Sequence, residues 1–193
     1  MNQTQTKQRL KPLSSAELGT LVGLSSFGML FATFILSYLL SKARFPAWPP
    51  PGIAPPEPLL PTLATGVLIA SSLLVHMAMG ALDSGRIEKF RKLWGGALAL
   101  GCFFVVIQIG FWAQLISNGL SAQSHLYGAS IYTLTGLHAI HIVVGLGVLA
   151  WVLAKAMRPQ FLEQKSEAPK LASWIWHFLD IVWILMFVIL VDL

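Results

Sequence analysis

Five uninterrupted apolar stretches dominate this sequence: residues 18–40, 61–82, 93–116, 131–154 and 174–191. Each comes close to or exceeds the roughly 20 residues that carry a helix across a bilayer. Among them they hold one formally charged side chain, Asp180. Backbone amides in lipid must be satisfied within their own segment, so stretches of this length and composition fold as helices. The expected fold class is therefore all-α, an integral membrane bundle of five transmembrane helices. A hydrophobic content of 55%, only 11% charged residues and a mean hydropathy of +0.70 agree with that and argue against a soluble core. The first stretch is too long for the apolar region of a cleaved signal peptide and is read as an anchor.

The ends of the spans orient the chain. Eleven of the thirteen Lys and Arg fall in the N-terminal tail (1–17), between the second and third spans, and between the fourth and fifth. Lys42 and Arg44 are the two on the other side. The positive-inside rule places the N-terminus in the cytoplasm and, after five crossings, the C-terminus outside. On this reading the net charge of +5 sets topology and implies no nucleic-acid partner, since no basic segment is interleaved with aromatics. Trp94, Trp151, Trp174 and Trp176 are expected at the inner interface, and Trp48 and Trp112 at the outer one. Arg86, Lys89, Arg91 and Lys92 either bind anionic lipid head groups or only fix the topology.

The outer loop, residues 41–60, leads into Pro61. Prolines 46, 49, 50, 51, 55, 56, 58 and 61 predict an extended, polyproline-like strap, suited equally to docking on a neighbour or to a rigid hairpin. The lone cysteine, Cys102, lies in an apolar run, which excludes an internal disulfide, a CxxC pair and a thiolate-bridged copper pair. Gly19 and Gly23 make a GxxxG pair at the end of a span, a weak packing signal. Catalytic triads, phosphate-cradling glycine loops and HExxH are absent.

Chemistry could reside in two pairs of polar residues. His138 and His141 are three apart, as are His177 and Asp180, so each pair shares a helix face. At about 1.5 Å rise per residue, His141 and Asp180 both fall near mid-span, at depths that allow them to meet. An ionised aspartate there costs about 2.5–3.5 kcal/mol on insertion scales, so these groups require a protein or water environment. Three readings stay open: polar packing between helices or against a partner helix, a proton or quinone site, and a metal site lacking a full ligand set. Packing requires the fewest additional groups. His76 reads as a packing histidine and His125 as a loop residue.

These residues also form a recognisable pattern. Trp48-Pro49-Pro50, Gln108, Tyr127-Gly128, Thr135-Gly136-Leu137-His138 with His141 and Gly145, and Trp176-His177-Phe178 with Asp180 and Trp183 occur in order across the five-helix region. The sequence thereby resembles subunit III of haem–copper terminal oxidases, in a form lacking the first two of seven helices. The resemblance implies a non-catalytic subunit in the bacterial cytoplasmic (inner) membrane. Such a subunit packs directly on subunit I, with subunit II and accessory subunits nearby. It carries no cofactor of its own, the haem and copper belonging to its partners, and it holds structural phospholipids. It stabilises subunit I and sustains proton uptake in a cytochrome c-oxidising, proton-pumping complex. A quinol oxidase or a nitric-oxide-reductase-associated homologue would share these motifs. A small cation or proton transporter is the alternative of another class, although no inverted repeat is present.

The pattern departs from the family at two acids. Phe27, after Ser26, stands where the first of these helices usually has glutamate, and Phe111 stands where Gln-x-x-Glu is usual. The carboxylate role the family attaches to those positions does not carry over. Ile175 replaces a tyrosine that often precedes Trp-His-Phe.

Overall fold

The computed structural model describes residues 13–53, 56–123, 125–158 and 167–191. Most of the N-terminal tail, and therefore Lys7, Arg9 and Lys11, lies outside the described residues, as does Lys165. Five helices follow one another: α1 (Ser15–Arg44), α2 (Leu59–Asp83), α3 (Ile87–Ser117), α4 (Leu126–Ala156) and α5 (Ala168–Val191). All five are long and apolar enough to cross a membrane. At about 1.5 Å per residue the longest approach 46 Å, so their ends pass beyond a hydrocarbon core of about 30 Å.

Local chemistry fixes the helix ends. Ser14 caps α1 through a capping box: its Oγ accepts from the Glu17 amide while the Glu17 carboxylate accepts from the Ser14 amide. Helices α2 and α3 are joined by a tight turn in which Gly85 takes φ +69°. Its amide bonds Leu82 O, and the Arg86 amide bonds Ala81 O, the paired bonds of a Schellman ending. Gly119, at φ +78°, ends α3 in the same manner through Ile116 O and Leu115 O.

Helices α2, α3, α4 and α5 form a closed ring of neighbours in which α2 and α3 pack most closely. Helix α1 lies outside the ring and contacts only α4 and α5 among the described helices. It buries Glu17, Phe31 and Tyr38 and leaves the rest of its surface open or half-open. Its start is clamped to the start of α5 by the Glu17–Lys170 ion pair and by Ser14 Oγ donating to Glu167 at 2.6 Å.

Indole N–H groups tie the ring together at several depths. Trp94 of α3 donates to Leu149 O of α4 at 3.0 Å, and Trp112 of α3 to Thr135 Oγ1 of α4 at 3.0 Å. Trp176 of α5 donates to Ser71 Oγ of α2 at 3.2 Å, and Trp183 of α5 to Thr65 Oγ1 of α2 at 3.0 Å. These pairs also set the antiparallel register of α3 with α4 and of α5 with α2. The interfacial reading of Trp94 and Trp176 is therefore corrected. Both are fully buried, because a large ring with one donor fits best where a neighbouring helix offers both a notch and an acceptor.

The notch for Trp176 is made of glycine. A methyl group at Gly101 would lie 2.8 Å from the Trp176 ring, and one at Gly145 would lie 3.3 Å from it. Neither helix could come this close with a larger residue.

Pro55 lies outside the described residues, and over residues 45–53 the proline-rich connection is likewise not a straight strap. The Ile53 amide bonds Pro50 O at 3.1 Å and Gly52 has φ +87°, so Pro50-Pro51-Gly52-Ile53 reverses the chain. Trp48, following a chain bend with a cis peptide to Pro49, folds back on the bundle. Its indole donates to Tyr38 Oη at 3.1 Å and its ring meets Tyr127 edge-on. The Pro-Gly turn and the aromatic anchor outweigh the extended preference of the prolines.

Candidate functional site

The polar residues picked out in the sequence separate into two groups on different sides of α5. His138 meets rings of α1, α3 and α5 and His141 meets rings of α1, whereas His177 and Asp180 lie beside Ser72 of α2. The depth argument allowed His141 and Asp180 to meet; they are held by different helices instead.

His138 is fully buried in an aromatic box. The Trp183 ring lies 5.3 Å away, centroid to centroid, tilted by 33°, and the edges of Phe31 and Phe104 lie at 6.1 Å each. Neither ring nitrogen has a hydrogen-bond partner among the described residues. Gln108, one turn from Phe104 on α3, is also buried, and its amide nitrogen has no hydrogen-bond partner among the described residues. Three helices thus converge on one imidazole through ring contacts rather than hydrogen bonds.

His141, one turn further along α4, is half-buried. Its Nδ1 lies 2.7 Å from Leu137 O, and a carbonyl only accepts, so the proton is on Nδ1. Phe27 of α1 meets this ring edge-on at 4.4 Å and Phe31 at 5.6 Å. Phe27 therefore supplies a ring contact to His141. Phe111 is buried and helps to line a cavity of ≈ 20 Å³ with Ile131, Thr135 and Trp183.

On the other side, Ser72 Oγ and His177 Nδ1 are 2.7 Å apart. Asp180 Oδ2 lies 3.8 Å from the same Nδ1, beyond hydrogen-bond range, and neither carboxylate oxygen has a hydrogen-bond partner among the described residues. The three line a groove of ≈ 290 Å³ between α2 and α5. His76, one turn along α2 from Ser72, is exposed on the outer surface and is not the buried packing histidine expected. Its helical position faces away from the ring of neighbours.

The four basic residues after α2 are unequal. Arg91 Nε donates to Ala156 O at the end of α4 at 2.8 Å, and its guanidinium pairs with Glu88 at 3.2 Å. It caps a neighbouring helix. Arg86, Lys89 and Lys92 are exposed, and their side chains make no ion pair among the described residues. Sequence reasoning missed Ser71, Ser72, Thr65 and Gly101, whose roles depend on partners on other helices. Of these, the Trp176–Ser71 and Ser72–His177 pairs are each 105 positions apart in sequence.

No group of three or more His, Cys, Asp or Glu among the described residues could hold a metal ion. Fold and site together define a multi-pass membrane protein with, among the described residues, five helices long and apolar enough to cross a bilayer. The profile of the family described as cytochrome c oxidase subunit III matches residues 15–191. A Nocardia farcinica protein named "Probable cytochrome c oxidase subunit 3" is 32% identical over 189 residues, covering 95% of this chain and 91% of the relative. The protein of the same name from Mycobacterium bovis is 35% identical over 176 residues, or 90% and 85% of the two chains. "Cytochrome c oxidase subunit 3" of Thermostichus vulcanus is 29% identical over 174 residues, again 90% and 85%. The chain belongs to the cytochrome c oxidase subunit III family.

Proposed function

We propose that this chain is the non-catalytic subunit III of a respiratory oxidase in a bacterial cytoplasmic membrane, with its N-terminus inside. It stabilises the redox-active subunit I by direct contact and sustains proton uptake there, with subunit II in the same complex. The observation that carries the structural role is the placement of His138. A fully buried imidazole boxed by rings from three helices is a fixed point of the packing and has no access for a substrate. His141, held by Leu137 O and the rings of α1, serves the same packing. His177 and Asp180 are left for contact outside the bundle.

Structural lipid fits two places. An apolar groove of ≈ 430 Å³ between α1 and α5, lined by residues such as Phe31, Ile35, Phe178 and Leu185, suits an acyl chain. The exposed Arg86, Lys89 and Lys92 suit an anionic head group, at roughly 1 kcal/mol per basic residue near the surface. With both usual glutamates replaced by phenylalanine, support of proton uptake rests on the integrity of subunit I and not on a carboxylate of this chain.

Purification from native membranes through a tag on this chain tests the proposal. Haem-bearing subunits are expected in the preparation, visible by absorbance. A colourless preparation without such partners would refute the assignment.

A further inference from the structure

We infer that the α2–α5 seam around His177 is the docking surface for a transmembrane helix of a partner subunit, which presents a hydrogen-bond donor to His177 Nε2. The inference rests on the reading of the chain as an oxidase subunit and names the face and chemistry of that contact.

The argument starts from unused hydrogen-bonding capacity. Asp180 has a side chain 6% exposed and, among the described residues, no hydrogen-bond partner for either oxygen, at the level of a groove open to the outside. Among the described residues no Lys or Arg pairs with it. Its Oδ2 lies 3.8 Å from His177 Nδ1, which is also 2.7 Å from Ser72 Oγ. A lone pair on Nδ1 facing that carboxyl oxygen would be repelled, so the proton belongs on Nδ1 and is given to Ser72. A carboxyl group beside one imidazole nitrogen favours the tautomer with the proton on that nitrogen. Nε2 is then a lone-pair acceptor: among the described residues the hydrogen bond of this ring is that of Nδ1 with Ser72, and its side chain is 33% exposed and lines the groove.

Depth selects the occupant. Asp180 lies twelve residues into the 24-residue α5, about 18 Å along a helix of about 36 Å. Lipid head groups sit near the ends, and acyl chains carry no donor. A second helix with Trp, Tyr, Ser, Thr, Asn, Gln, Lys or Arg at that depth satisfies Nε2 and covers the apolar rim formed by Ile69, Leu73, Ile181 and Ile184. Buried polar contacts of this kind fix the register of neighbouring helices.

Photo-crosslinking in the intact complex tests this. A benzophenone amino acid is placed at Leu73 or Ile184, both on the exposed rim, and at Val106 on the exposed side of α3 as control. Crosslinks from both rim positions to a transmembrane helix of another oxidase subunit, with a donor residue at that depth and none from Val106, are expected. Crosslinks to lipid alone, to a second copy of this chain, or in equal yield from Val106 would overturn the inference. A companion pair reads the hydrogen bond: His177→Leu should lower retention of the partner about threefold, and at most roughly twentyfold. His177→Gln, whose amide oxygen can accept near the Nε2 position, should restore most of it. Equal loss in both, or loss in neither, would refute the role of Nε2. Haem absorbance of the same preparations separates the outcomes. Haem retained with a silent seam leaves the family role intact and removes only the seam.

Discussion

The glycine notch around Trp176 gives a prediction whose size can be worked through. In Gly101→Ala the new Cβ would sit 2.6 Å from Leu146 Cδ2 and 2.8 and 3.0 Å from two atoms of the outer indole ring of Trp176. The leucine tip can rotate away. Trp176 cannot, since it is fully buried, bonded to Ser71 and backed by α4 at Gly145. Restoring normal contact requires a shift near 1 Å between packed helices, toward the top of the roughly 1–3 kcal/mol range for overpacking. Removing a helical glycine returns up to about 1 kcal/mol, leaving a net cost of about 1–2 kcal/mol. In a Trp176→Phe background the offending ring atoms are absent, so Gly101→Ala should become neutral or stabilising. The cycle should then show a coupling of about 1–3 kcal/mol. The assay is SDS-driven unfolding in lipid bicelles, with Gly66→Ala, where a methyl meets nothing within 4 Å, as control. Additivity of the two substitutions within about 0.5 kcal/mol would refute the notch as the origin of the cost.

Two further outcomes follow from the site. Phe111→Ala should destabilise the bundle more than Phe27→Ala, because Phe111 is buried whereas Phe27 is 39% exposed. Both costs should fall below the roughly 3–5 kcal/mol of soluble cores, since the unfolded reference is already in lipid. Neither should alter the initial rate of proton uptake once assembly is normalised; stopped-flow alkalinisation on matched haem content checks this. Arg91→Ala should cost about 1–2 kcal/mol through the lost bond to Ala156 O, while Lys89→Ala should stay within about 0.5 kcal/mol, both read by the same bicelle titration.

How much was legible in the sequence divides along physical lines. The spans follow from apolar length alone, because the bilayer admits no other fold for such stretches. The contacts did not. Trp176 and Ser71 are 105 residues apart, and nothing local marks Ser71 as an acceptor or Gly101 as the wall of a slot. Depth arithmetic places His141 and Asp180 at one level but contains no rotation about the helix axis, so it could not tell that one faces α1 and the other α2. His76 failed for the same reason. The proline loop was misread because eight prolines weigh toward extension, whereas one Pro-Gly turn and the Trp48 anchor decide the path.

The peripheral position of α1 also bears on how the molecule comes into being. Its helix contacts are with α4 and α5, which the ribosome makes later, and its clamp joins Ser14 and Glu17 to residues 153 positions downstream. Once inserted, the first span must therefore wait in the bilayer, stable as a helix but without its docking site. The ring can close around the Trp latches before α1 settles into place. Biogenesis of this chain thus has a late clasping step that joins early and late products of translation. An assembly factor that shields the waiting helix would act in that interval.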